Sequence, residues 1–190
     1  MDTRVVNESE LWRRAKNNDG SAFTALFDLH RDRIFRHCLR LIENVHDAEE
    51  VTAASFFELW RRRDAVPLVS GSVLPWLVVT AGNLARNSRR ATRRYRALFD
   101  SLPRTPEIHQ HFETSDVTMK LRTALQSLSA NDLALLTLVA LEGFAVTEAA
   151  ALLGLTDGAA RTRLHRVKAR MRAQLESEQF DLIGERNDGN

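Results

Sequence analysis

The residues with the clearest chemical potential in this chain are its arginines. The chain has 27 lysines and arginines, of which only Lys16, Lys120 and Lys168 are lysines. Arginine presents a planar set of donors that matches phosphate and the edge of guanine, so the bias suits a nucleic-acid ligand. A genome rich in G and C would produce the same bias, and composition alone leaves both explanations open.

One concentration of positive charge begins at Arg161, in a segment with the pattern of a helix-turn-helix. Six lysines and arginines and no acidic residue lie between Arg161 and Arg172. A solvated helix face usually mixes both signs, so the single sign favours phosphate contact over a merely solvated surface. Upstream, Gly154 can end one helix in the left-handed conformation, and Thr156 can cap the next. The residues expected to pack inward are Ala160, Leu164, Val167 and Met171. The residues predicted to contact DNA are Gly158, Arg161, Thr162, Arg163, His165, Arg166 and Lys168.

A second basic segment follows Pro75. Asparagine in the middle of a helix carries a propensity cost, so Asn83 and Asn87 suggest side-chain hydrogen bonding to a ligand. Asparagine can read base edges and tryptophan can stack on a base. The residues predicted to face DNA on this helix are Trp76, Thr80, Asn83, Asn87, Arg90 and Arg94, with Arg86 beside them. The alternative is an arginine-rich exposed helix end with Trp76 in the core.

Other reactive residue types are few or unsuitably spaced. Cys38 is the single cysteine, which excludes an internal disulfide and a multi-cysteine zinc site, and its apolar context predicts a buried structural thiol. The six histidines lack zinc-site spacing, and no glycine-rich phosphate loop or nucleophile elbow is present. We therefore expect no catalytic site, no metal and no cofactor. No apolar run reaches the about 20 residues of a membrane span, which favours a cytoplasmic protein.

Helical periodicity runs through the chain, and no alternating strand pattern occurs. The sequence predicts an all-α protein of two small helical domains joined by a flexible linker, the C-terminal one a helix-turn-helix of winged-helix-like four-helix type. Ser72 is predicted to cap a long helix from about Val73 to Tyr95, with Pro75 in its first turn. The predicted boundaries are an N-terminal segment at 1–21, a first domain at 22–98, a linker at 99–116, a second domain at 117–175 and a tail at 176–190.

Three motifs in this order resemble the extracytoplasmic-function (ECF) sigma factors, the compact two-domain sigma subunits of bacterial RNA polymerase. The resemblance covers about residues 22–175. The first motif is DAEEV at 47–51 with FFELW at 56–60, the second is PWL at 75–77 with AGNLARN at 81–87, and the third runs from LEGF at 141–144 to RLHR at 163–166.

This resemblance implies a sigma factor that binds core polymerase and directs transcription initiation at specific promoters. The helix after Pro75 would melt and read the −10 element, beside a loop at 64–75 that captures a flipped base, and the helix-turn-helix would read the −35 element. The implied partners are the RNA polymerase core enzyme, promoter DNA and an anti-sigma factor, with no membrane insertion. The residues implied in polymerase docking are Asp47, Glu50, Phe56 and Trp60.

Several positions depart from the family pattern. Ala53 and Ala54 stand where a glutamine and an acid are common in the docking helix. Ala149, Ala159 and Ala160 replace larger residues, which predicts a thinner core in the second domain. Two alternatives remain open: a stand-alone helix-turn-helix regulator, which would bind duplex DNA by itself, usually as a symmetric dimer, and a helical adaptor that binds polymerase without reading DNA.

Overall fold

The computed structural model describes residues 7–99 and 116–184 of the chain. Within these ranges all regular structure is helical apart from an isolated bridge between Val69 and Ser72, so the predicted all-α class is confirmed. The chain divides into two compact units, Met1–Gln110 and His111–Asn190. The predicted linker falls outside the described residues, except at its two ends. No helix in the described ranges is long and apolar enough to cross a lipid bilayer.

The described part of the first unit contains four helices. They are α1 (Glu8–Lys16), α2 (Gly20–Leu39), α3 (Val45–Arg61) and α4 (Leu74–Phe99). Each of the first three begins at an Asx cap, at Asn7, Asp19 and Asn44, whose side-chain oxygen accepts backbone N–H groups of the first turn. The core includes fully buried aliphatic side chains from α2, α3 and α4, among them Leu26, Ile34, Leu59 and Leu77.

Helix α1 was not predicted, because the sequence interpretation left residues 1–21 as an unassigned segment. Its buried stripe consists of only Trp12 and Ala15, which are 2% and 0% exposed. Two apolar positions are too few to give a clear helical period. Burial of a whole tryptophan nevertheless makes α1 part of the first unit's core, since a ring of this size contributes a large apolar area.

Two buried polar side chains in this core, Cys38 and His37, predict how the protein responds to a thiol reagent and to a change of pH. Cys38 is fully buried, and burial raises the pKa of its thiol to about 11. Because the thiolate is the reactive species, we expect the native protein to resist alkylation by iodoacetamide at pH 8 and to label rapidly in denaturant. Rapid labelling of the native protein, followed by mass spectrometry, would contradict the buried placement.

His37 is 2% exposed, and its Nε2 atom is buried without a hydrogen-bond partner among the described residues. Burial, helped by the nearby Arg40 charge, lowers the pKa of His37 to about 4 despite a hydrogen bond with the Val78 backbone. In the unfolded chain the His37 imidazole therefore takes up a proton near pH 6.5, whereas in the folded chain it does so only near pH 4.

We therefore expect the free energy of unfolding to fall by up to about 3 kcal/mol as the pH drops from above 6.5 to about 4. Chemical denaturation at several pH values measures this slope. The variant His37→Gln should flatten it, because the group that takes up the proton is removed. An unchanged slope in His37→Gln would contradict the assignment.

The second unit contains α5 (Asp116–Ser127), α6 (Ala130–Leu136), a π-helical turn (Thr137–Leu141), α7 (Val146–Leu152) and α8 (Asp157–Gly184). Ser129 caps α6 by accepting the Asp132 N–H. After α6 the helical segment widens to π geometry around the buried Thr137 and Leu138.

Helix α8 also corrects the predicted end of the second domain. The sequence interpretation ended this helix at Leu175 and assigned 176–190 to a tail, but α8 continues to Gly184. Residues 185–190 lie outside the described residues.

Candidate nucleic-acid interface

Helix α4 presents the predicted polar stripe at the surface of the first unit. Asn83, Asn87, Arg90 and Arg94 are exposed, while Trp76, Thr80 and Arg86 are half-buried. The opposite face supplies Leu77, Val78, Ala81 and Ala85 to the core. Because the aliphatic side chains of α4 face the core, the two asparagines on its other face lie in solvent. Trp76, which the alternative interpretation placed in the core, is partly buried and partly exposed.

The connection between α3 and α4 ends in a tight turn at residues 69–72, called here the 69–72 turn. Val69 and Ser72 exchange two backbone hydrogen bonds of 3.0 Å. The central residues have positive φ, 50° at Ser70 and 77° at Gly71, as in a type I′ turn. Ser72 then accepts the Leu74 N–H at 3.1 Å and so starts α4, as predicted, with Pro75 in the first turn.

A carboxylate from α1 reaches this connection. Glu8 Oε1 accepts hydrogen bonds from His30 Nε2 at 2.8 Å, Ser72 Oγ at 2.9 Å and Val73 N at 2.7 Å. We call these four residues the Glu8 network. Burial alone would raise the pKa of Glu8, but the hydrogen bonds from His30, Val73 and Ser72 outweigh it and the pKa lies below its usual value. Sequence reasoning missed the network because its members are far apart in the chain.

The second unit holds the helix-turn-helix where the sequence placed it. Gly154 has a φ of 65°, and the Leu155 N–H donates to the Ala150 carbonyl at 2.9 Å, which closes the end of α7. Thr156 Oγ1 accepts the Ala159 N–H at 3.3 Å and caps α8. Ala149 and Ala150 are fully buried at the helix crossing. These local predictions are confirmed.

Helix α8 has one buried face and one exposed face, as predicted. The four residues predicted to pack inward are all buried, at 0% for Ala160, 7% for Leu164, 2% for Val167 and 8% for Met171. The seven predicted DNA contacts are all exposed. Ala159 is exposed as well, so it takes no part in the core that its small size was expected to thin.

An acidic residue from another helix faces the basic surface of α8. Asp132 on α6 lies 3.7 Å from Arg163 and 3.8 Å from Arg170, measured between the charged atoms. These long, partly exposed pairs contribute little stability but lower the positive potential locally. The stretch from Arg161 to Arg172 contains no acid, so sequence reasoning about this stretch alone could not reveal the partner.

The predicted polymerase-docking residues on α3 are divided between surface and core. Glu50 is exposed beside His46 and Asp47 is half-buried. Trp60 is half-buried, with its ring 5.0 Å from that of Phe23 and the Arg63 guanidinium 4.5 Å above it. Phe56 is only 3% exposed and packs edge-to-face on Phe27 at 4.7 Å.

The assignment of Phe56 to direct docking is therefore wrong, because a side chain inside the core cannot touch another protein. Its neighbour Phe57 is 63% exposed. Helical spacing could have separated the two, since the buried positions on α3 recur as Ala48, Val51, Thr52, Ser55, Phe56 and Leu59. Glu50, Ala53 and Phe57 lie on the exposed face.

Comparison with known proteins finds two family models, "Sigma-70 region 2" at residues 26–95 and "Sigma-70, region 4" at residues 118–171. Among relatives, the ECF RNA polymerase sigma factor SigE of Mycolicibacterium smegmatis is 32% identical over 77% of this chain, and the match spans 58% of that protein. The RNA polymerase sigma factor CarQ of Myxococcus xanthus is 29% identical over 85% of this chain and 94% of its own length.

Solved structures that share the fold include two that were determined as complexes. CnrH, in complex with the cytosolic domain of CnrY, aligns with a TM-score of 0.64 at 21% identity and covers 90% of this chain and 98% of its own. The sigma factor RpoE from Bartonella quintana, in complex with the anti-sigma factor NepR, aligns with a TM-score of 0.57 at 21% identity, covering 81% and 96%.

Proposed function

This chain belongs to the ECF sigma factors, which direct bacterial RNA polymerase to promoters, and we propose that its two units divide that task. The first unit docks on core polymerase through α3 and opens the −10 element with α4. The second unit reads the −35 element with α8. The chain itself carries no active site, and polymerase in the cytoplasm supplies the catalysis.

The observation that carries this division is the exposure of Asn83 and Asn87 on α4 together with that of Arg161 at the start of α8. Asparagine and arginine are the side chains best suited to read adenine and guanine edges. The surrounding exposed arginines fit the phosphate contacts that fix register without reading sequence. A stand-alone regulator would need only the second of these surfaces.

In vitro transcription tests the proposal. Core polymerase is supplied with this chain and a library of random promoter fragments, and the transcribed fragments are sequenced. Enrichment of one two-part motif with fixed spacing supports a sigma factor, whereas a transcript profile indistinguishable from that of core enzyme alone would overturn it. Gel-shift with the purified chain separates the stand-alone regulator, which should bind duplex DNA tightly without polymerase.

Docking on polymerase gives a residue-level prediction. Phe57 is a large apolar side chain that is 63% exposed, on the same face as Glu50. Burying an aromatic ring at an interface core is a common source of binding energy. We expect Phe57→Ser to weaken binding to core polymerase about tenfold, corresponding to about 1.4 kcal/mol, without loss of thermal stability.

The control for this prediction is Leu68→Ser, which removes an apolar side chain that is 36% exposed from the loop between α3 and α4. Competition against a labelled sigma factor for core enzyme measures both affinities. Equal affinity of Phe57→Ser and the wild type would place the docking surface elsewhere.

We also propose an anti-sigma partner, since the structurally similar RpoE was solved with one. Such a partner would compete with polymerase for exposed apolar residues such as Phe57. Co-purification of the chain with a protein that blocks its binding to core enzyme would support this.

A further inference from the structure

We infer that Glu8 is a positioning residue for promoter reading, an inference that rests on the proposed −10 role of α4. Glu8 lies on α1, outside the span of the matched region 2 model. Its carboxylate joins three separate parts of the first unit, namely α1, α2 through His30 and the start of α4 through Ser72 and Val73.

The hydrogen bonds from α1 hold three consecutive residues of the connection between α3 and α4. Ser9 Oγ donates to the Gly71 carbonyl at 3.1 Å, so two neighbouring residues of α1 hold Gly71, Ser72 and Val73. Gly71 has positive φ, and a Cβ at this position would lie 3.0 Å from Ser9 Oγ. A side chain at this position would therefore require Ser9 Oγ to shift by a few tenths of an ångström, and the positive φ is itself strained for residues other than glycine.

The negative charge of the Glu8 carboxylate also interacts favourably with the N-terminal end of α4. It accepts the Val73 N–H beside the first turn of α4, where the helix dipole favours negative charge. Its side chain is 15% exposed and that of His30 is 3% exposed, so these hydrogen bonds are largely shielded from water. Hydrogen bonds to a charged group in such a setting are stronger than neutral ones.

The Glu8 network ends next to the surface of α4 that is proposed to read the −10 element. Val73 is three residues before Trp76, and the 69–72 turn belongs to the loop proposed to capture a flipped base. A base-binding pocket discriminates only when its walls are held in place before the base arrives. Glu8 and Ser9 supply that rigidity from an element that does not itself touch DNA in this proposal.

The test uses holoenzyme assembled from core polymerase and the full chain. Two fluorescent single-stranded oligonucleotides carry the −10 sequence recovered from the library experiment, one unchanged and one abasic at the flipped position. The wild type should prefer the unchanged strand. Glu8→Ala should reduce that preference about tenfold, while affinity for core enzyme stays within about twofold.

Milder variants keep the test valid if Glu8→Ala fails to fold. Glu8→Gln retains an acceptor but loses the charge, and Ser9→Ala removes only the bond to Gly71; each should reduce the preference by a smaller factor. Glu10→Gln is the matched control, because Glu10 is exposed on the same helix and pairs with Arg13. It should behave as the wild type.

A purely structural role predicts a different pattern. Equal preferences in Glu8→Ala, Ser9→Ala and Glu10→Gln, or a parallel loss of core binding and of both oligonucleotides, would overturn the inference. A wild-type holoenzyme that binds both strands equally would instead show that the proposed −10 role is wrong, before any variant is compared.

Discussion

Replacing Asn83 by alanine is expected to slow promoter opening about fivefold or more while making the protein slightly more stable. A bidentate contact with a base is worth about 1–3 kcal/mol, which corresponds to roughly a 5- to 150-fold effect. Alanine is a better helix former than asparagine by about half a kcal/mol, and Asn83 is exposed, so nothing is lost from the core. Permanganate reactivity of unpaired thymines measures opening, and thermal denaturation measures stability.

The opposite directions of these two effects separate function from folding. Thr92→Ala is the matched control, because Thr92 is an exposed residue about two and a half turns further along α4 whose hydroxyl donates to the Ser88 carbonyl. It should leave promoter opening unchanged. The assignment of α4 to melting would be wrong if Asn83→Ala opened the promoter at the wild-type rate, or if it lost core binding and opening together.

The features that sequence reasoning predicted correctly are those whose determinants lie within one or two helical turns. Gly154 and Thr156 end one helix and start the next through bonds to residues at most five positions away, so their types alone indicate the turn. The inward face of α8 follows from a period of 3.6 residues. The same reasoning placed Asn83 and Asn87 outside the core because aliphatic residues fill the opposite face.

The features it missed depend on contacts between distant residues or on the exact phase of a helix. Glu8 meets Val73 across 65 positions, and no local pattern encodes that pairing. Phe56 and Phe57 have the same chemical character, and only their phase relative to Leu59 decides which one is buried. Asp132 reaches Arg163 from another helix, so the charge count of α8 overstated its free positive charge.

The largest effect in the second unit is expected for Arg161. It is exposed in the first turns of α8, where recognition helices place residues against base edges. Loss of a bidentate arginine–guanine contact should cost about 1–3 kcal/mol, and only on promoters that carry the contacted base. Transcription from a set of promoters with single changes in the −35 element measures this, and Arg161→Ala should relax choice at one position of that element.

Arg170 is the internal comparison, because it lies about two and a half turns further along α8 and shares Asp132 with Arg163. Arg170→Ala should weaken binding evenly across promoters and reduce the salt dependence, as expected for loss of one phosphate contact. Asp132→Asn should act in the opposite direction, since it releases both arginines toward phosphate. Equal effects of Arg161→Ala and Arg170→Ala on every promoter would mean that the start of α8 does not enter the major groove. The distinction matters physically, because a phosphate contact fixes where the helix lies, whereas only a base contact can tell one promoter from another.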